Sequence, residues 1–183
     1  MSVHHTQSKA LPFLLSGFII LVDQLVKGFI VTHWPDPNTW ILDVFGNDLL
    51  WIIHVRNPAI AFSLGHNLPE TWRPLLFIVL PIIVLGFLLG YYVKSREFSP
   101  FQRWLFAGIL GGGIGNILDR IFRPKGVVDF ISVKFFGFLG MERWPTFNIA
   151  DASVVVCGIL LLISTLISPR SGEMKPANKE ASG

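Results

Sequence analysis

The chain has 183 residues, of which 51% are hydrophobic and 15% charged, with a mean hydropathy of +0.56. That is the length of one domain, but too apolar for a soluble domain of this size. A formal charge of only +3, spread along the chain, gives no footprint for nucleic acid, and a single cysteine, Cys157, excludes an intrachain disulfide.

In chain order, the first apolar segment runs from Leu11 to Val31, interrupted only by Asp23 and Lys27. Its length, its internal charges and the lack of a small-x-small site after it predict a retained membrane helix, not a cleaved leader. Residues 32 to 71 follow, with two β-prone runs, "TWILDVF" and "LLWIIHVRN", around the turn signal "GND". Ile52, His54 and Arg56 alternate there with Trp51, Ile53 and Val55, which predicts a small sheet lying on the membrane surface. Pro74 to Val93 is 20 residues without a charge and meets the spanning criterion outright, with a kink expected at Pro81. Lys94 to Arg103 reads as a short hydrophilic connector. The third span starts at Trp104; its charge-free run is only 15 residues and is extended to 121. The segment from Ile121 to Thr146, rich in Phe and Trp, suits an interfacial loop. The fourth span covers 148–168, and residues 169–183 form a polar tail expected to be disordered. The expected fold is thus an all-α integral membrane protein. It has four transmembrane helices with a small sheet and an interfacial loop, in a single domain over 1–168. Four spans put both termini on one side, but Lys and Arg divide seven and seven between the two sides, so charge does not orient the chain.

The polar residues gather at one membrane level. Asp23 and Lys27, four apart, share a helix face and can pair. Asn116, Asp119 and Arg120 share another, where Asp119 beside Arg120 reads first as a structural ion pair. Gly111, Gly112, Gly113 and Gly115 allow close approach of a neighbour, either a helix or an acyl chain. Asn148 and Asp151 open the fourth helix, and Asp129 lies in "VVDF" among apolar neighbours. Asp129 and Asp151 are the two acids set apart, Asp151 for having no basic residue at helical spacing and Asp129 for the apolar residues that dry its surroundings. If the fold joins them, they form a like-charge pair that shares one proton, with one acid activating water and the other polarising a carbonyl.

Other chemistries have less to stand on. His4, His5, His33, His54 and His66 form no H-E-x-x-H zinc motif, and Ser63 lacks a nucleophile-elbow context. Asp119, Asp129 and Asp151 together could hold a divalent cation, and intramembrane acids could also serve a small transporter or channel subunit.

Five blocks, "DQLVK" from Asp23, "NPAIAFS" from Asn57, "GGGIGNILDR" from Gly111, "VVDF" from Val127 and "FNIAD" from Phe147, occur in an order that resembles the lipoprotein signal peptidases (signal peptidase II). The resemblance runs from about Leu11 to Ser168. It implies a bacterial inner-membrane aspartyl endopeptidase that cleaves prolipoproteins before the diacylglyceryl-modified cysteine. Asp129 and Asp151 would be its catalytic dyad, with Asp23, Lys27, Asn57, Asn116, Asp119, Arg120 and Asn148 binding substrate or supporting the site. It further implies cytoplasmic termini, a site near the periplasmic face under a β-cradle and flap, no metal or other cofactor, contact with membrane lipid, and inhibition by globomycin-type cyclic peptides. Two departures stand out. Ala59 occupies a position where many members carry glycine, and the stretch from Arg120 to Asp129 is slightly long.

Overall fold

The computed structural model describes residues 9–39, 41–58, 69, 71–95 and 97–167. Ala59, Ser63, His4, His5, His66 and the tail from 169 lie outside the described residues. Four helices are long and apolar enough to cross a membrane: α1 (Phe13–His33), a π turn (Leu75–Val79) running into α2 (Leu80–Lys94), α3 (Pro100–Phe122) and α4 (Ile149–Ile167). Strands β1 (Ile41–Asp43) and β2 (Leu50–Asn57) separate α1 from α2, and β3 (Val127–Val133) separates α3 from α4.

The helices are organised for lipid. In α1 the buried positions are Ser16, Ile19, Asp23, Lys27 and Ile30, a stripe spaced three and four apart. Leu14, Phe18, Leu21, Leu25 and Phe29 point outward. An exposed face made of Leu and Phe, with Ser, Asp and Lys inside, is stable only where the surroundings are hydrocarbon.

α3 is the central helix, and its sequence explains both its low apolar count and its position. Ser99 and Gln102 make a reciprocal capping box, Gln102 N donating to Ser99 Oγ at 3.2 Å and Ser99 N to Gln102 Oε1 at 3.0 Å, with Pro100 in the first turn. The helix therefore begins inside the stretch expected to be a connector. Its glycines are filled by neighbouring helices. A Cβ at Gly111 would lie 2.8 Å from Ser16 Cα of α1, and one at Gly112 would run into the Ala150 carbonyl of α4. These two glycines draw the helices together and leave no acyl channel there. Ser16 Oγ and Ser153 Oγ then donate to the carbonyls of Ala107 and Gly108, at 2.6 and 2.9 Å.

Pro81 acts through the turn before it. Its ring would clash with the carbonyl four residues back; the preceding turn widens to π geometry, with Leu80 N–H reaching Leu75 O. A π turn is a recognised cause of helix distortion at such sites.

The sheet is antiparallel in the order β1-β2-β3. β3 falls within the segment expected to be only an interfacial loop, so the sheet has one strand more than the two β-prone runs suggested. The β2–β3 register shifts between Ile52 and Val55. This bulge breaks the simple alternation expected of 51–56 and buries His54, whose Nδ1 hydrogen-bonds Trp34 O at 2.6 Å. Ile30 of α1 packs with Val128 and Phe130 of β3, which seats the sheet on one end of the bundle. At the other end Tyr92, Phe106 and Leu110 form a second cluster. There Lys9 Nζ donates to the carbonyls of Val93 and Ser95 at the end of α2, at 2.7 and 2.9 Å.

Candidate active site

"FNIAD" is a helix start. Asn148 Oδ1 accepts from Asp151 N at 2.8 Å, and Asp151 Oδ2 accepts from Asn148 N at 3.2 Å. This reciprocal arrangement is a capping box built from Asn and Asp, and it places a carboxylate in the first turn of α4, where the helix dipole favours negative charge. The need to satisfy the first N–H groups of a membrane helix thus fixes Asp151 in one rotamer.

β3 brings the second acid. Hydrogen bonding of Phe130 N and Ile131 N to Phe147 O, at 3.0 and 2.8 Å, ties the strand to the residue just before the cap. Asn148 Nδ2 then reaches Asp129 Oδ1 at 2.7 Å, so one asparagine links both acids. On the other side of Asp129, the β2–β3 register sets Asn57 opposite Val127, and Asn57 Nδ2 donates to Asp129 Oδ2 at 3.0 Å. Asp129 is 2% exposed. Burial and then the nearby Asp151 charge push its carboxyl up to about 7, against the opposing hydrogen bonds from Asn57 and Asn148.

Behind the pair lies a buried ionic knot. Lys27 Nζ is 2.7 Å from Asp23 Oδ2 and 2.9 Å from Asp119 Oδ2, with all three side chains fully buried. Asp119 Oδ1 meets Arg123 Nη1 at 3.1 Å and accepts from Gln24 Nε2 at 2.9 Å. Asp23 Oδ1 also accepts from Ala150 N at 3.0 Å, and Asp119 Oδ2 from Val128 N at 3.2 Å. Each acid therefore ties a different element to the knot: α4 through Ala150, and β3 through Val128.

The structure brings every sequence-selected polar residue to this end of the bundle, but not in every expected pairing. Asp119 does not pair with Arg120. Side chains one residue apart diverge on a helix, whereas Arg123, four residues on, lies over Asp119. Arg120 Nη1 instead donates to Asn116 O at 3.2 Å, and its guanidinium acts electrostatically on Asp151, Asp129 and Asp119. Among the described residues, no group of three or more His, Cys, Asp or Glu is placed to hold a metal ion, and both Asp119 oxygens are engaged within the knot. Among the described residues, the ion pairs all belong to the knot and none includes Asp129 or Asp151. Gln24 and Arg123 were missed; the signal for Arg123 was its spacing of four from Asp119, and for Gln24 only its position beside Asp23.

Asn116 joins the two halves. Its Oδ1 accepts from Lys27 Nζ and from Asn148 Nδ2, both at 3.1 Å, while its Nδ2 donates to Asp151 Oδ1 at 2.7 Å. The arrangement therefore offers a pair of acids from separate elements, each held by amide donors, beside a region whose charges are already neutralised. Chemically this suits acid–base activation of water against a polarised carbonyl.

The chain is similar to known proteins along most of its length. The family described as Signal peptidase (SPase) II matches residues 15–167. A "Lipoprotein signal peptidase" of Treponema pallidum is 42% identical over 177 residues, 97% of this chain and 94% of that protein. One of Treponema denticola is 50% identical over 157 residues, 86% and 89% respectively. A solved structure described as a bacterial membrane enzyme obtained by the in meso method at 2.3 Å superposes with a TM-score of 0.72. It is 27% identical and covers 91% of this chain and 95% of its own.

Proposed function

The chain belongs to the signal peptidase II family of lipoprotein-processing membrane peptidases, and on that premise we propose that it is an aspartic endopeptidase with Asp129 and Asp151 as its dyad. The observation that carries this reading is the pair itself: two carboxylates on β3 and α4, linked through Asn148 and left out of the ionic knot that occupies Asp23 and Asp119.

The two acids hold one proton between them, since ionising both at short range in a low-dielectric site is costly. The ionised acid takes a proton from water as its oxygen attacks the scissile carbonyl carbon. The protonated acid gives its proton to the carbonyl oxygen. The tetrahedral diol then collapses, the C–N bond breaks, and the departing amine receives a proton from the dyad.

The substrate is a prolipoprotein, cut before its diacylglyceryl-modified cysteine. The protein lies in the bacterial inner membrane with both termini cytoplasmic and the sheet end, with the dyad, toward the periplasm. Globomycin-type cyclic peptides inhibit it by occupying the dyad. A transporter or channel subunit is not favoured, because the relatives are peptidases over nearly their whole length.

The test uses the purified full chain with a lipidated precursor and excess chelator. Cleavage in chelator supports the metal-free aspartic reading. Loss of cleavage that is restored by a divalent cation refutes it.

A further inference from the structure

We infer that Lys27 is a positioning residue for the cleavage reaction, acting through the Asn116 amide to hold Asp151 as the charged, water-activating member of the pair. This rests on the dyad reading above.

The orientation of the Asn116 amide follows from its neighbours. Two donors, Lys27 Nζ and Asn148 Nδ2, both lie 3.1 Å from Oδ1, and a carboxylate oxygen of Asp151 lies 2.7 Å from Nδ2. Flipped, the amide would set its NH2 against an ammonium and another NH2, and its oxygen against a carboxylate oxygen. That leaves donors facing donors and acceptors facing acceptors in a buried site. Lys27 cannot turn away, because Asp23 and Asp119 hold its ammonium at 2.7 and 2.9 Å. The direction of the chain from Lys27 to Asn116 to Asp151 is therefore fixed by a buried cation.

Charge placement on Asp151 follows. It receives the Asn116 NH2 and the Asn148 backbone N–H, and it stands in the first turn of α4, where the dipole favours an anion. A donor polarised by an ammonium strengthens the preference for charge. Asp129 is the more enclosed acid, 2% exposed on a strand with no helix N-terminus behind it, and so carries the shared proton. Besides each other, the charged groups acting on the pair are Arg120 from α3 and Lys27 from α1, with Asp119 of α3 and Asp23 of α1 behind them on the Lys27 ammonium. Arg120 also favours an anion at Asp151, so loss of Lys27 weakens the charge preference without abolishing it.

The experiment separates positioning from charge balance. Lys27→Met alone would strand buried carboxylates, so it is combined with Asp23→Asn, which leaves the net charge unchanged and keeps an acceptor for Ala150 N. In parallel, Asn116→Leu cuts the chain at its second link with the Lys27–Asp23–Asp119 knot intact. Thermal unfolding in detergent, and kcat and KM for a lipidated precursor, are measured for each. Expected for both is a fall in kcat of about 10²-fold with KM within about twofold. A fall confined to kcat is the split that a merely structural loss would not give. A folded variant of either kind with wild-type kcat, or with a loss carried by KM instead of kcat, overturns the inference. Asp129→Asn and Asp151→Asn accompany them as controls: substantial activity in either would overturn the dyad reading itself, and with it this inference.

Discussion

At the scale of single residues, the decisive distinction is between acids that are neutralised and acids that are not. Asp23 and Asp119 are held by Lys27 and Arg123, whereas the hydrogen bonds described for the Asp129 and Asp151 side chains come from amide groups, and Arg120 acts on both electrostatically. On the proposed dyad, Asp129→Asn and Asp151→Asn should each lower cleavage by about 10³-fold or more while the protein still folds, because each would remove one half of the shared-proton pair. Single-turnover measurement on detergent-solubilised protein checks this. On the proposed reading the carboxyl of Asp129, raised from 3.8 to about 7, would set the alkaline limb of the pH profile. The proton is bound below that value, so kcat should fall as pH rises through about 7, with the slope of one proton lost. A rate still climbing well above pH 8 would mean that Asp129 carries no essential proton. Asp151, with no basic residue at helical spacing, and Asp129, set among apolar neighbours, were readable in the sequence. The roles of Asn57, Gln24 and Arg123 were less so, because contacts between α1, β2 and α3 depend on register and helix rotation that no local spacing encodes.

At the scale of elements, α3 carries the architecture. Its glycines let α1 and α4 approach closely enough for Asn116 to touch both Lys27 and Asp151. Gly112→Val should therefore abolish activity by displacing α4, since its side chain would overlap the Ala150 carbonyl and Val154. A drop in thermal stability of several degrees is expected from such overpacking, typically about 1–3 kcal/mol; unchanged melting and turnover would show that the helices can separate without harm. The start of α3 was legible as S-P-F-Q, a capping sequence with proline in the first turn, but it was masked by the surrounding charges. β3 was harder to read. "VVDFISV" is a continuous β-prone run whose strand character is decided by pairing with β2, and a run of that length is equally compatible with an interfacial segment. The four spans themselves were plain, because hydrocarbon-facing helices need length and apolarity more than pattern.

For the whole molecule, the question is how a peptide bond is held at the dyad when most of the surface is apolar helix. The sheet is braced by Arg143, which donates to Ser132 Oγ, Ser132 O and Asp48 O at 2.8, 2.7 and 2.8 Å and stacks on Trp51 at 3.6 Å. Just before Arg143 the chain makes the 135–141 turn, closed by Phe135 N to Glu142 O and Gly137 N to Met141 O, where Phe136 and Leu139 are 72% and 73% exposed and both adopt positive φ. Exposed apolar side chains beside the sheet suit contact with acyl chains better than with peptide, whereas the α3 glycines, filled by neighbouring helices, do not. The substrate's diacylglyceryl group should then be required for cleavage. Each buried methylene contributes about 0.8 kcal/mol, so two chains fix depth and register more firmly than side-chain contacts, and that remote binding positions the carbonyl against Asp129 and Asp151. An unlipidated precursor should be cleaved at least about 10²-fold more slowly at any concentration. Replacing Phe136 and Leu139 with Ser should raise KM for the lipidated precursor with little change in kcat. Equal rates on lipidated and unlipidated precursors, compared in the same detergent, would mean that the peptide alone sets the register and that the exposed turn does not handle the lipid.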